Sequence, residues 1–327
     1  MNTNSNAKND STGKKSRSNL AVINTETGEI ISEVASYRTV AQQEAYQQLK
    51  HKETQIASED TKQERFIFAG MQELKERLKS MTELTFRQLG YLAVISTYAG
   101  YDGILKLTEQ SNVPMNKAEL KKVLKIGKDN TINDLIKDLK TAGFLTEITV
   151  DKYGRRRTAF LLDTSILFRG AGAGNGANEK AKLWQANIQQ AFNEGTVTVY
   201  NLGLLFAVIP YLSYESNILA YDVTEREGDK VQGIAIVDLA EMLNIDVSTL
   251  QRNMNSAKFN GMHIFGKTQA GKEKFIKINP LIVYRKAGVP PLSSYIEFVA
   301  KSGKPKKKTV ATKKTANTKT EQGGTTV

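Results

Sequence analysis

An internal repeat constrains this chain more than any other feature. Residues 84–105, LTFRQLGYLAVISTYAGYDGIL, match residues 197–219, VTVYNLGLLFAVIPYLSYESNIL. Leu89-Gly90 falls opposite Leu202-Gly203, Ala93-Val94-Ile95 opposite Ala207-Val208-Ile209, and Ile104-Leu105 opposite Ile218-Leu219. The correspondence continues from NKAELKKVLKIGKDNTINDLIKDLKTAGF (116–144) to IAIVDLAEMLNIDVSTLQRNMNSAKFNGM (234–262). It ends with AFLLDTSILFRG (159–170) opposite KFIKINPLIVYRK (274–286). The offset drifts by only a few residues, so small insertions account for it.

A repeat running through several elements in one order implies two copies of one folding unit. Each copy reads as an apolar helix (86–98 or 200–211), then a short strand (near 104–107 or 218–220). Two short helices around a tight turn follow, and a hairpin with a polar tip closes the unit. Helix, strand, helix, turn, helix and hairpin in about 85 residues is the order of a winged helix, a helix-turn-helix with a β-hairpin appended. The expected fold class is α+β: two tandem winged-helix domains with disordered basic termini. The expected boundaries are a disordered tail at 1–19, a hairpin and polar helical linker at 20–63, and the first domain at 64–170. A Gly-rich linker and connecting helix then span 171–195, the second domain 196–290, and an extension with a Lys-rich tail 291–327.

The second copy has the clearer helix-turn-helix. Val247, Leu250, Met254 and Ala257 recur at helical spacing, and Asp246 stands where a helix cap is wanted. The opposite face carries Ser248, Thr249, Gln251, Arg252, Asn255 and Lys258, with no acid. Arginine, glutamine and asparagine can hydrogen-bond base edges bidentately, and hydroxyls and lysine reach phosphates. In the first copy Ile132, Leu135, Ile136 and Leu139 form the buried face. Asn130, Thr131, Asn133 and Lys137 share the exposed face with Asp134 and Asp138, which phosphates would repel. Its hairpin compensates, because Lys152, Arg155, Arg156 and Arg157 surround a Tyr153-Gly154 turn. The second hairpin offers Lys267, Lys272, Lys274 and Lys277.

Charge supports a polyanionic partner. Of the net +12, residues 1–20 carry three and residues 301–327 seven, so the remaining chain holds only two. The tails supply non-specific attraction, and sequence discrimination must come from local patches. The absence of cysteine excludes disulfides and thiolate metal sites. Neither a metal nor another cofactor is expected from two isolated histidines, His51 and His263. The polar N-terminus and the lack of a long apolar run predict a soluble cytoplasmic protein with no membrane partner. Ile67, Met71, Leu74 and Leu78 follow a 4-3-4 spacing within a helical pattern at 64–81. That stripe packs on its own domain or forms a homodimer contact.

Two glycine patterns invite an enzyme reading, an NTP-dependent one. Gly261 to Thr268 fits G-x-x-x-x-G-K-[ST], but a phosphate cradle needs a helix after it, and the repeat places this segment on a hairpin strand. Gly172, Gly174 and Ala177 fit G-x-G-x-x-A, yet the repeat makes the segment a linker between copies. The expectation is therefore a non-enzymatic protein.

At LLFAVIPYLSYESNIL, DLAEMLNIDVSTLQRNM and IKINPLIVYRK, over about residues 197–286, the second copy resembles the RepL-like winged-helix replication initiators of plasmids and phages. VINTETGEI resembles the short N-terminal strand region of that group, and Ile278-Asn279-Pro280 with Tyr284-Arg285 is the most specific part. The resemblance implies double-stranded DNA as partner, binding to repeats in a replication origin, and recruitment of host replication proteins. A transcriptional or partition regulator can use the same fold.

Overall fold

In a computed structural model, the described residues are 20–23, 26–28, 30–34, 47, 65–79, 84–108, 111, 113–152, 154–170, 179–270, 273–286, 288–291 and 294–299. Both basic tails, Lys272, and the glycine pattern beyond Gly170 lie outside them. Side chains at 20–23 and 30–34, and that of Lys152, are also outside the description.

The chain has a mixed α+β fold with small antiparallel sheets. β1 (Leu20–Ile23) and β2 (Ile30–Val34) form a hairpin with Gly28 at φ 73°. Two halves follow with the same element order, apart from a short two-stranded hairpin over residues 258–263 added in the second. The first runs β3 (Phe66–Gly70), α1 (Met71–Lys79), α2 (Phe86–Ser96), α3 (Lys117–Val123), α4 (Asp129–Thr141), then β4 (Leu145–Lys152), β5 (Arg155–Leu162) and β6 (Leu167–Phe168). The second runs β7 (Lys180–Trp184), α5 (Gln185–Asn193), α6 (Val199–Val208), α7 (Ile236–Met242) and α8 (Val247–Ser256). It continues with β8 (Lys258–Phe259), β9 (Met262–His263), β10 (Phe265–Ala270), β11 (Glu273–Ile278) and β12 (Val283–Tyr284). No helix among the described residues is long and apolar enough to cross a membrane.

The halves share a four-stranded sheet of order β12-β7-β3-β6. β3 and β7 pair antiparallel at its centre, from Phe66↔Trp184 through Phe68↔Lys182 to Gly70↔Lys180. Phe68 and Lys182 stand at equivalent places in the two halves, so the pairing has a local two-fold axis through them. Each half closes with its last strand at the outer edge. Period-two alternation sends Ile67 and Ala69 into the core and Phe66 and Phe68 to the other face. There Phe68 packs on Phe168, centroids 5.4 Å apart, and Lys182 Nζ lies 5.1 Å from the Phe66 ring centroid.

The same axis relates α2 and α6, the two apolar helices. Thr85 and Thr198 cap them, accepting bonds from Gln88 N and Asn201 N. A Cβ on Gly90 would lie 1.8 Å from the Val199 carbonyl oxygen, and one on Gly203 would lie 1.6 Å from the Phe86 oxygen. The contacts are reciprocal, glycine of each helix on the first turn of the other, as at an isologous interface. Only glycine allows this approach. Phe86 and Tyr200, one from the first turn of each helix, pack with ring centroids 5.3 Å apart.

Two expectations are corrected by this architecture. The helical pattern at 64–81 begins as strand β3, and only its second part is helix. Its apolar stripe is not a dimer surface: Ile67, Met71 and Leu74 are fully buried in the chain's own core, and Leu78 packs against that core. Likewise the connecting helix starts at Gln185, because Lys180–Trp184 is a central strand. Both segments are the same element in the two halves, a strand running straight into a helix, and mixed periodicity hides the junction.

Candidate nucleic-acid interface

α7 and α8 meet at a tight turn in which Asn244 adopts φ 51°. Lys125 takes φ 54° at the equivalent turn between α3 and α4. Asp246 caps α8, its carboxylate accepting from Thr249 N at 2.9 Å and from Ser248 Oγ. These bonds, the Ser248 hydroxyl first, hold the Asp246 carboxyl below its ordinary value. This acid is thus already engaged at the start of the helix.

Leu250, Met254 and Ala257 are buried beneath α8, as the periodicity predicts, and Val247 packs against the core. Ser248, Arg252, Asn255 and Ser256 are exposed, while Thr249 and Gln251 are half-buried. Lys258 is exposed but lies beyond the helix end, on β8 opposite His263. It therefore flanks the helix instead of sitting on its face, a correction to the longer expected helix. Asn201 Nδ2 of α6 donates to Ser256 Oγ at 3.2 Å, fixing the end of α8 to the two-fold axis.

The first half has the same anchor in other atoms. Gln88, equivalent to Asn201, donates from Nε2 to Asp138 Oδ2 at 2.5 Å. Asp138 is therefore turned toward α2, which removes one of the two carboxylates expected to repel phosphate. Asp134 stays exposed. Asn130, Thr131, Asn133 and Lys137 are exposed along α4, and Lys117 Nζ donates to Asn133 Oδ1 at 3.1 Å. Exposed Lys117, Lys122 and Lys128 extend this basic surface onto α3 and the turn. The run KAELKKV was open to that reading, which periodicity alone did not suggest.

Both basic hairpins form. β4 and β5 pair in register from Leu145↔Leu162 to Lys152↔Arg155, around a two-residue tip with Gly154 at φ 70°. Arg155, Arg156 and Arg157 are exposed. Strand alternation puts Arg156 on the face opposite the other two. β10 and β11 pair from Phe265↔Ile278 to Ala270↔Glu273, with Lys267 and Lys274 exposed. Lys277 is held inward by Glu297 at 2.5 Å. His263, beside this hairpin, has its pKa lowered by partial burial and then by Lys258.

The segment Gly261 to Thr268 spans a turn, β9 and part of β10, and strand continues after it. It lacks the helix that a phosphate cradle requires. The next described element after Gly170 is strand β7, which is not the helix of a dinucleotide fingerprint either. Among the described residues no group of three or more His, Asp or Glu side chains could hold a metal.

The residues that carry the family resemblance are structural. Asn279 is fully buried and donates from Nδ2 to the His263 carbonyl, while its Oδ1 accepts from Leu281 N. The Pro280 carbonyl accepts from Trp184 Nε1 at 2.9 Å. Arg285 is buried and donates from Nη1 to the Leu212 and Val223 carbonyls at 2.7 and 2.8 Å, and it pairs with Glu179. Burial lowers its pKa to about 10, so it remains a cation at neutral pH. No protein-family model, curated protein or solved structure matches the chain.

Proposed function

We propose that this chain is a sequence-specific double-stranded DNA-binding protein built from two winged-helix units, and that it initiates plasmid or phage replication by binding origin repeats. The observation that carries the DNA reading is α8: a helix with a buried apolar face and an outer face on which Ser248, Arg252 and Asn255 are exposed and Gln251 is half-buried, its neighbouring acid engaged as a cap. In this reading α8 enters a major groove, Arg252, Gln251 and Asn255 meet base edges, and Thr249, Lys258, Lys267 and Lys274 meet the backbone. The first unit holds the duplex through the arginine hairpin, with α4 and the α3 lysines beside it.

The equivalent anchoring of α4 and α8 supports one duplex bound by both units. A two-fold relation between reading helices calls for contacted segments inverted with respect to each other. The replication role rests on the resemblance of residues 197–286 and on the cytoplasmic setting such a role requires.

Footprinting on the DNA that flanks the gene tests the reading. Arg252→Ala should weaken specific binding by about 1–3 kcal/mol and relax sequence preference. Removing residues 301–327 should weaken binding to all sequences and flatten the salt dependence. Wild-type behaviour of both variants at moderate salt overturns the assigned surface. Failure of the gene and its flanking DNA to replicate an origin-less plasmid, with DNA binding intact, replaces initiation by transcriptional or partition control.

A further inference from the structure

One face of α7 is uncovered. Val237 and Glu241, with Asp238 and Met242 beside them, stand one helical turn apart on the side away from the buried Leu239 and Ala240. Tyr221 reaches the same face, its hydroxyl donating to Asp238 Oδ2 at 2.5 Å. Tyr221, Val237 and Met242 are half of the six large apolar side chains that stay exposed among the described residues. Scattered apolar residues need no account, but a cluster edged by charge marks an interaction surface. The charge here is negative: Asp238 and Glu241 form no ion pair with any described residue. In the first half Ala118 and Lys122 take the places of Val237 and Glu241, so the equivalent helix is basic.

The first half has a groove of the opposite character, about 640 Å³, between α3, α4 and the β4-β5 hairpin. Buried Ile136 and Phe160 form its floor, with Ala118 of α3 at one side. Lys117, Lys137 and Lys140 line it against one carboxylate, Glu147. Lys140 already engages Glu147 at 2.9 Å. Lys117 donates to the neutral amide of Asn133, and Lys137 forms no ion pair with any described residue, so the groove keeps a positive excess. The second half closes the corresponding place by a main-chain contact, in which Ala235 bridges to Phe275 of β11. Asn116, the equivalent of Ala235, instead caps α3 and accepts from Glu119 N at 3.0 Å.

We infer that the uncovered face of α7 docks into this groove of a second copy of the chain. Val237 and Met242 enter over Ile136 and Phe160, and Asp238 and Glu241 meet Lys117 and Lys137. Like does not pair with like: two α7 faces would oppose their acids, and two grooves their lysines. The contact is therefore heterologous, the second half of one copy on the first half of the next. α7 has only two turns, so the buried area lies at the low end for specific contacts, and a dissociation constant of about 10–100 µM is expected. Asn133 and Lys137, which the DNA reading gives to the duplex, lie in the groove, so a docked copy and DNA exclude each other there. Only that consequence rests on the DNA reading.

The test is sedimentation equilibrium of the full chain without DNA, up to about 200 µM. Reversible, concentration-dependent association is expected, weaker at high salt. Glu241→Lys and Lys137→Glu, both at exposed positions, should each weaken it at least about tenfold. An equimolar mixture of the two variants should recover wild-type association, because each altered surface then meets its opposite charge. Val237→Ser should weaken association without a change of charge, and Val289→Ser, exposed elsewhere, should leave it unchanged. Carbodiimide cross-links between isotopically distinct copies should join Asp238 or Glu241 to Lys117 or Lys137. Absence of association, a mixture no tighter than either variant alone, or α7 cross-links confined to one copy or to lysines of residues 301–327 overturns the inference.

Discussion

Gly203→Ala is the most direct probe of the axis that joins the halves. The added Cβ would sit 1.6 Å from the Phe86 oxygen, 2.5 Å from the Phe86 carbonyl carbon and 2.9 Å from Gly90 N. All three are main-chain atoms, so no side chain can rotate away. Restoring ordinary contact requires α2 and α6 to part by about 1.5–2 Å, and a gap of half to one ångström already forfeits a quarter to a half of each dispersion contact it opens. Overpacking costs about 1–3 kcal/mol in general, and this case belongs at the upper end. Against it stands the better helix propensity of alanine, worth about 1 kcal/mol. The net expectation is a loss of about 2 kcal/mol or more, read as a lower urea midpoint at unchanged slope. Gly90→Ala should behave alike, its Cβ falling 1.8 Å from the Val199 oxygen. The double variant should cost clearly less than the two single losses added, because one separation relieves both clashes. A neutral or stabilising Gly203→Ala, the result for an open helix position, would refute the close crossing. Strict additivity would refute the shared axis.

Two further outcomes follow from the buried and titrating groups. Arg285→Ala strips Glu179 of a buried partner and leaves the Leu212 and Val223 carbonyls unbonded, so a loss of about 3–5 kcal/mol is expected in urea unfolding; a loss below about 1 kcal/mol would show that the arginine is dispensable. His263 has a folded pKa below the ordinary 6.5, so between the two values the unfolded chain binds the extra proton. Stability should therefore fall as the pH drops from 6.5 through the folded value, and His263→Gln should flatten that part of a thermal-melt series.

Much of the local structure is legible in residue order. The faces of α8 and α4, the Asp246 cap and both hairpins follow from period and turn chemistry, because each depends on neighbours a few residues away. The central sheet does not. FIFAG is uniformly apolar and runs without a break into the helical MQELKERLK, so period cannot locate the junction at Gly70. KAKLW does alternate, but a glycine-rich stretch before it and a helix after it disguise a five-residue strand. What fixes both strands is their pairing with each other, more than a hundred residues apart. The candidate interface was legible as composition but not as geometry. Nothing local shows that Asp138 turns toward Gln88, or that Asn279 and Arg285 serve the core instead of a ligand.

The sheet order has a consequence for how the chain is made. β3, the first strand of the core sheet to leave the ribosome, ends up in the middle of the sheet, and its partner β7 follows more than a hundred residues later. Until residues 180–184 emerge, one edge of Phe66–Gly70 has no neighbour, and its pairing pattern is nearly its own mirror. Another nascent copy could supply the missing strand in the same register. Synthesis of the second half therefore competes with exchange between chains. Crowding on a single message favours exchange, and prompt arrival of β7 protects the pairing of β3 within its own chain.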